Sequence, residues 1–207
     1  MILIACEFSG IVREAFRKRG YNAWSCDLLP SEMPSEYHIQ GNVEDILDER
    51  WEAVIAFPPC TYLTVSGNKW MLPKYAERFP TRVQDRQNAI EFFMKFVHAP
   101  VKHIAIENPV GIMSTVYKKP SQYIQPYYFG HPETKKTGLW LKNLPILRNT
   151  KMVKPEFITG KYNGKMYSRI HYMSSRNGER WRERSRTYQG IADAMAEQWG
   201  PVIEADY

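Results

Sequence analysis

The side chains able to do covalent chemistry stand at the ends of apolar runs. Cys60 closes the stretch Phe57-Pro58-Pro59-Cys60. Two prolines remove two backbone donors and stiffen the chain just before a thiol, whose deprotonated form is a nucleophile. A free cysteine more commonly packs as a small apolar residue. Here the rigid approach and the polar TYLTVSG that follows favour an accessible thiol at the mouth of a cleft. The run KHIAIEN ends in Glu107-Asn108-Pro109, and an acid in such a place is costly to bury unless it has a partner or a task. MILIAC leads into Glu7-Phe8-Ser9-Gly10. That glycine lets the backbone approach a ligand closely, although the same turn also serves as plain strand-to-helix architecture. Asp27 follows about 20 residues on, the spacing at which dinucleotide folds place an acid on ribose hydroxyls; a solvated loop acid is the other reading.

Short apolar runs alternating with amphipathic stretches must position these groups. MILIAC, YNAWSCD, Tyr37–Gln40, WEAVIAF and KHIAIEN read as strands. Ile11–Arg19, with Val12, Ala15 and Phe16 inward, reads as a helix, as do Val43–Glu49 and Val83–Val97. Strands separated by helices predict right-handed βαβ units and a mainly parallel sheet. After Pro120, YIQPYYFG and GLWLKNL read as two close strands, an antiparallel end to the sheet. TYQGIADAMAEQW reads as a last helix with Ile191, Ala194, Met195 and Gln198 on one face. In a sheet of this kind ligands bind at the carboxyl ends of the strands, where the chemistry-bearing residues lie.

The 207 residues fit one α/β domain, residues 1–207, with no repeat or low-complexity tract. No stretch reaches the roughly 20 apolar residues of a membrane span, and MILIAC is too short for a secretory apolar region. A cytoplasmic protein without membrane partner is expected, and a monomer. Three widely spaced cysteines, Cys6, Cys26 and Cys60, give neither a disulfide framework nor a zinc pattern, so no metal is expected. The net charge of +6 is uneven: residues 142–186 hold 12 Lys/Arg against 3 Asp/Glu. Such a segment is either a footprint for a polyanion or a solvated loop.

In order along the chain, these segments resemble the motifs of the DNA cytosine-5 methyltransferases. Phe8-Ser9-Gly10 is similar to the cofactor-binding Phe-x-Gly turn, Asp27 to the ribose acid, and Gly41-Asn42-Val43 to a Gly-Asp-Ile that meets adenine. Phe57-Pro58-Pro59-Cys60 resembles the Pro-Cys catalytic loop, and Glu107-Asn108 the Glu-Asn motif. Phe129–Lys135 resembles Tyr-Gly-Val-Pro-Gln-x-Arg, and the helix Ile191–Trp199 the last motif. The likeness spans nearly the whole chain. Val12-Arg13 replaces a Gly-Gly, Asn42 an acid, Thr61 and Glu133 each a Gln, and Lys135 and Thr137 two Arg. The short basic segment 142–186 stands where the family inserts a large target-recognition domain.

The resemblance implies a Rossmann-like class I methyltransferase fold, with a mainly parallel seven-stranded sheet and an antiparallel strand near the end. It implies S-adenosylmethionine held by Phe8, Ser9, Gly10, Asp27, Asn42 and Pro58. Cys60 would be the covalent nucleophile, Glu107 would stabilise ring nitrogen 3, and Lys135 would hold the ring carbonyl. Pro59 and Asn108 would face the substrate. Arg180, Arg182 and Arg184 of the basic segment would hold DNA, with short or relaxed sequence preference. Tyr162, Tyr167, His171, Tyr172 and Trp181 would help keep the strand open, or else pack internally. Methylation of a free pyrimidine nucleotide and a non-catalytic cofactor- or DNA-binding relic are the competing readings.

Overall fold

The computed structural model describes residues 1–160, 164–172 and 179–205, with the backbone alone at His171 and Glu179. The chain runs through β1 (Ile2–Ala5), α1 (Ile11–Arg17), β2 (Ala23–Asp27), β3 (His38–Gln40), β4 (Ala53–Ala56), α2 (Arg82–His98) and β5 (His103–Pro109). It continues through α3 (Met113–Val116), β6 (Gln122–Ile124), β7 (Thr137–Lys142), β8 (Ile158–Thr159), β9 (Met166–Tyr167), α4 (Arg169–Tyr172), α5 (Glu179–Ser185) and α6 (Gln189–Glu204).

Alternation along the strands feeds two cores. Ile2 and Ile4 of β1 enter one core with Val12, Ala15 and Phe16 of α1 and Ala192, Met195 and Trp199 of α6. Leu3 and Ala5 enter the other with Phe93 and Phe96 of α2. A sheet buried on both faces demands such continuous apolar strands. The seven strands lie in the order β3-β2-β1-β4-β5-β7-β6. The first five are mutually parallel, and β7 runs antiparallel to both β5 and β6. This is the Rossmann-like arrangement expected from the sequence, a mainly parallel seven-stranded sheet with an antiparallel strand near the end.

Three local expectations change. Val43–Glu49 is not an α-helix; only a 3-10 turn forms at Val43–Asp45, capped by the Asn42 side chain accepting from the Glu44 amide at 3.2 Å. Val43, Ile46 and Leu47 still dock on the core, but the backbone bonds here run from i+3 to i, Ile46 amide to Val43 carbonyl and Glu49 amide to Ile46 carbonyl, each at 3.2 Å. The sixth strand ends at Ile124, because Pro126 lacks an N–H and opens a 3-10 turn through Tyr128. In α6 the Gln198 side chain leaves the apolar face and clasps Arg148, accepting from its amide at 2.7 Å and donating to its carbonyl at 3.0 Å.

The basic segment is built onto the turn that precedes β7. The Glu156 amide donates to the Pro132 carbonyl at 2.8 Å, and buried Glu133 accepts from Arg169 at 2.9 Å and from the Ile170 amide at 3.5 Å. Between these ties stands the antiparallel pair β8–β9. Tyr162 and the side chain of His171 lie outside the described residues. Tyr167 stacks on Tyr172 with ring centroids 5.9 Å apart.

Helix α6 comes so close to the turn at Phe129 that a Cβ on Gly190 would lie 2.0 Å from the Phe129 carbonyl oxygen. Gly41 has nothing within 4 Å of the same position. Gly190→Ala is therefore expected to lower unfolding free energy in urea by about 1–3 kcal/mol. Gly41→Ala should stay within about 0.5 kcal/mol of the native chain.

Candidate active site

Strand order reverses between β1 and β4: β2 and β3 extend one side of the sheet, and β5, β7 and β6 the other. Such a reversal opens a crevice at the carboxyl ends of the strands. Phe8, Ser9 and Gly10 follow β1, Asp27 ends β2, Asn42 follows β3, and Pro58, Pro59 and Cys60 follow β4. Because β7 is antiparallel to β5, its start meets the end of β5, with Thr137 opposite Pro109. Lys135, two residues before Thr137, thus arrives at the same edge as Glu107 and Asn108.

The β1 end is built around an acid. Glu7 is 4% exposed, and its Oε1 accepts from the Ser9 hydroxyl at 2.9 Å and the Val12 amide at 2.9 Å. Its Oε2 is buried without a hydrogen-bond partner among the described residues. Burial pushes the Glu7 carboxyl up to about 7, against the pull of the two donors and of Arg13. Gly10 adopts φ 76, a left-handed conformation that places the start of α1. Arg13 is fully buried and donates to Ser25 at 2.9 Å, to Ser31 at 3.3 Å and to the Met33 carbonyl at 2.7 Å. The guanidinium that replaces a glycine of the resembled motif therefore ties down the loop after β2. Asp27 is half-buried and accepts from the Leu29 amide at 2.9 Å. Partial desolvation raises its pKa.

At the β4 end Pro58 is buried, while Pro59 and Cys60 are exposed. The buried Asn108 side chain donates to the Pro58 carbonyl at 2.9 Å, holding the β5 end to the Cys60 loop. The Cys60 thiol has solvent on one side and protein on the other. That crowding, with the charge of Glu107, raises its pKa, while Lys135 and Arg184 pull it down. Desolvation likewise raises Glu107, opposed by Lys135 and by the Thr137 hydroxyl. Cys60, Glu107 and Lys135 thus act on one another electrostatically. Gln125 fixes the backbone of Lys135, its Oε1 accepting from the Lys135 amide at 2.9 Å.

A cleft of about 30 Å³ lies beside them, lined by Phe57, Glu107, Lys135, Thr137, Tyr188 and Ile191 among others. That volume holds roughly one water, so a ring-sized ligand requires it to open. Helix α5 lies across it: the Lys135 ammonium donates to the Arg184 carbonyl at 2.7 Å. Arg182 and Arg184 are exposed and Arg180 is half-buried.

Several contributors carry no sequence motif: Gln125, Thr137 as a cleft wall, and Tyr188. The excursion after Cys60 is another. Lys69 lies 4.4 Å from the Trp70 ring centre, Arg78 6.0 Å from the same ring, and Arg82 5.3 Å from that of Tyr62. Residues 61–82 hold 4 Lys/Arg against 1 Asp/Glu, a bias visible only when this window is counted alone.

The opposing charges on Cys60 set its reactivity. In a pH series of iodoacetamide alkylation, Lys135→Ala should move the Cys60 midpoint alkaline, because a cation that favours the thiolate is gone. Glu107→Gln should move it acidic. Identical profiles in all three proteins would show that neither charge reaches the sulfur.

No protein-family model matches the sequence, and no curated protein matches it. Among solved structures the chain is similar to an E. coli prophage-encoded protein described as a DNA modification methyltransferase, at 15% identity and TM-score 0.46. The alignment covers 74% of this chain and 51% of that one. It is also similar to S. pombe Dnmt2 methyltransferase, at 14% identity and TM-score 0.40, covering 74% of this chain and 50% of that one. A variant of Spodoptera frugiperda DNMT2 aligns at 15% identity and TM-score 0.40, over 75% of this chain and 54% of its own. The chain spans about half the length of each of these proteins.

Proposed function

We propose that this chain transfers a methyl group from S-adenosylmethionine to carbon 5 of cytosine in DNA. The observation that carries the reading is the meeting of Cys60, Glu107 and Lys135 at neighbouring strand ends, with Glu107 and Lys135 pulling the Cys60 thiol in opposite directions and Lys135 opposing the rise of Glu107.

The residues at the β1 and β2 ends fit the cofactor. Asp27 offers a carboxylate to a ribose diol, and Gly10 has no side chain to obstruct approach. Glu7 braces the turn between them from below, its carboxylate accepting from Ser9 and from the Val12 amide. Phe8, Ser9, Asn42 and Pro58 complete that wall. When bound, S-adenosylmethionine supplies an electrophilic methyl group on a sulfonium. The protein must then make carbon 5 of the pyrimidine nucleophilic. The Cys60 thiolate forms a bond to carbon 6, and the displaced electron pair moves toward carbon 5. Glu107, whose raised pKa favours the protonated form, donates to ring nitrogen 3 and neutralises the charge that gathers there. Lys135 holds the ring carbonyl as a point charge. The Phe8-Ser9-Gly10 turn and Asp27 would hold S-adenosylmethionine so that its methyl group could pass to carbon 5, its sulfur keeping the bonding electron pair. Loss of the carbon 5 proton to a base then expels the thiolate and restores the ring.

A base in a duplex reaches Cys60 only when extruded, which costs a few kcal/mol. Segment 142–186 supplies the cations that hold the strand, Arg182 and Arg184 among them. Pro59 and Asn108 frame the base.

Duplex DNA carrying 5-fluorocytosine, incubated with the chain and S-adenosylmethionine, should yield an adduct that survives denaturation, because fluorine cannot leave as the proton does. Cys60→Ala should yield none; an equal yield would remove Cys60 from the reaction. Arg182→Ala with Arg184→Ala should flatten the log–log dependence of DNA affinity on salt by about 0.9 for each phosphate no longer neutralised.

A further inference from the structure

Helix α5 joins the two halves of the crevice. At one end Trp181 packs on Phe8, ring centroids 5.8 Å apart and planes tilted by 49°. Beyond the helix, Arg186 grips Glu32 with two bonds, Nε to Oε2 at 2.7 Å and Nη2 to Oε1 at 2.8 Å. Glu32 is itself stitched to the β1 end, its amide donating to the Phe8 carbonyl at 2.8 Å. Arg13 holds the same loop from beneath through Ser31 and the Met33 carbonyl. Near the other end of α5, the Arg184 carbonyl takes the Lys135 ammonium. This short helix and its flank therefore touch the Phe-x-Gly turn, the loop beside it and the lysine facing Glu107.

Trp181 remains 48% exposed although it packs on the 7% exposed Phe8. An indole half open beside a buried phenyl ring offers an apolar shelf continuous with the β1 end, the chemistry a purine packs against. Arg180 and Arg182 flank that indole, and the Arg182 guanidinium carbon lies 5.4 Å from its ring centre. The aromatic that packs on Phe8 and two arginines of the basic segment thus share one short helix.

We infer that α5 is the outer wall of the cofactor site, with Trp181 packing on the same bound purine as Phe8, so that cofactor and nucleic acid each strengthen binding of the other. The inference rests on the methyl-transfer reading of the site. Linkage makes the effect reciprocal: the factor by which a duplex tightens the cofactor equals the factor by which the cofactor tightens the duplex. Glu32 and Arg186 set how firmly α5 is held when neither is bound.

Calorimetric titration of the full-length chain with S-adenosylhomocysteine, which cannot react, provides the test. Trp181→Ala is expected to bind it about tenfold more weakly than the native chain, and Trp181→Phe within about twofold. A short duplex should tighten S-adenosylhomocysteine binding to the native chain and to Trp181→Phe, and leave Trp181→Ala unaffected. Glu32→Gln keeps the aromatic pair and should alter the coupling factor while thermal melting confirms its fold. Equal affinity in native and Trp181→Ala proteins, or a native affinity indifferent to duplex, overturns the inference. Failure of the native chain to bind S-adenosylhomocysteine at all overturns the methyl-transfer reading beneath it, a result the variants cannot mimic.

Discussion

The antiparallel pairing of β7 against β5 governs how the site comes together, because chain direction determines which ends of two strands share an edge. In a wholly parallel sheet the residues leading into β7 would lie at the opposite edge from Glu107. With β7 reversed, Thr137 pairs with Pro109 and Gly138 with Asn108. The turn before the strand then delivers Lys135 to the carboxyl edge, while buried Glu133 in that turn anchors α4. One change of direction thus supplies both the cation facing Glu107 and the foundation of the basic segment.

Desolvation and charge oppose one another across this edge. Protein around the Cys60 thiol and the Glu107 carboxyl disfavours ionisation of both, and each anion would further oppose the other. Lys135 is the compensating charge common to the pair. Because its ammonium also binds the Arg184 carbonyl, the balance depends on where α5 sits. Ionisation of Cys60 and access to the cleft are therefore aspects of the same local geometry.

Much of this is legible in the sequence. The strands leading to Cys60 and Glu107 read clearly because both faces are buried, which leaves unbroken apolar runs, and their ends therefore mark the carboxyl edge of the sheet. Val43–Glu49 misleads because Val43, Ile46 and Leu47 have helical spacing and do dock on the core, yet so short a segment closes with 3-10 bonds instead. The strand expected to reach Gly130 stops short of Pro126, where a missing backbone donor outweighs the β-forming tyrosines that follow. The sequence marks Trp181 only as a support for nucleic acid or a packing residue. Its partner Phe8 lies near the other end of the chain, and nothing local records a contact over that distance. Gln125 and Tyr188 are invisible for the same reason, since each acts through a neighbour that only the fold supplies.

The environment of the thiols also bears on the chemical durability of the chain. Cys26 is buried and Cys6 half-buried, whereas Cys60 is exposed. Air and peroxide oxidise thiolates rather than thiols, beginning with a sulfenic acid that can pair with a second chain. The crowding that lifts the Cys60 pKa therefore keeps an exposed sulfur mostly in its protonated, oxidation-resistant form. Any encounter that brings further positive charge to Cys60 trades that shelter for reactivity at the moment a reaction partner is present.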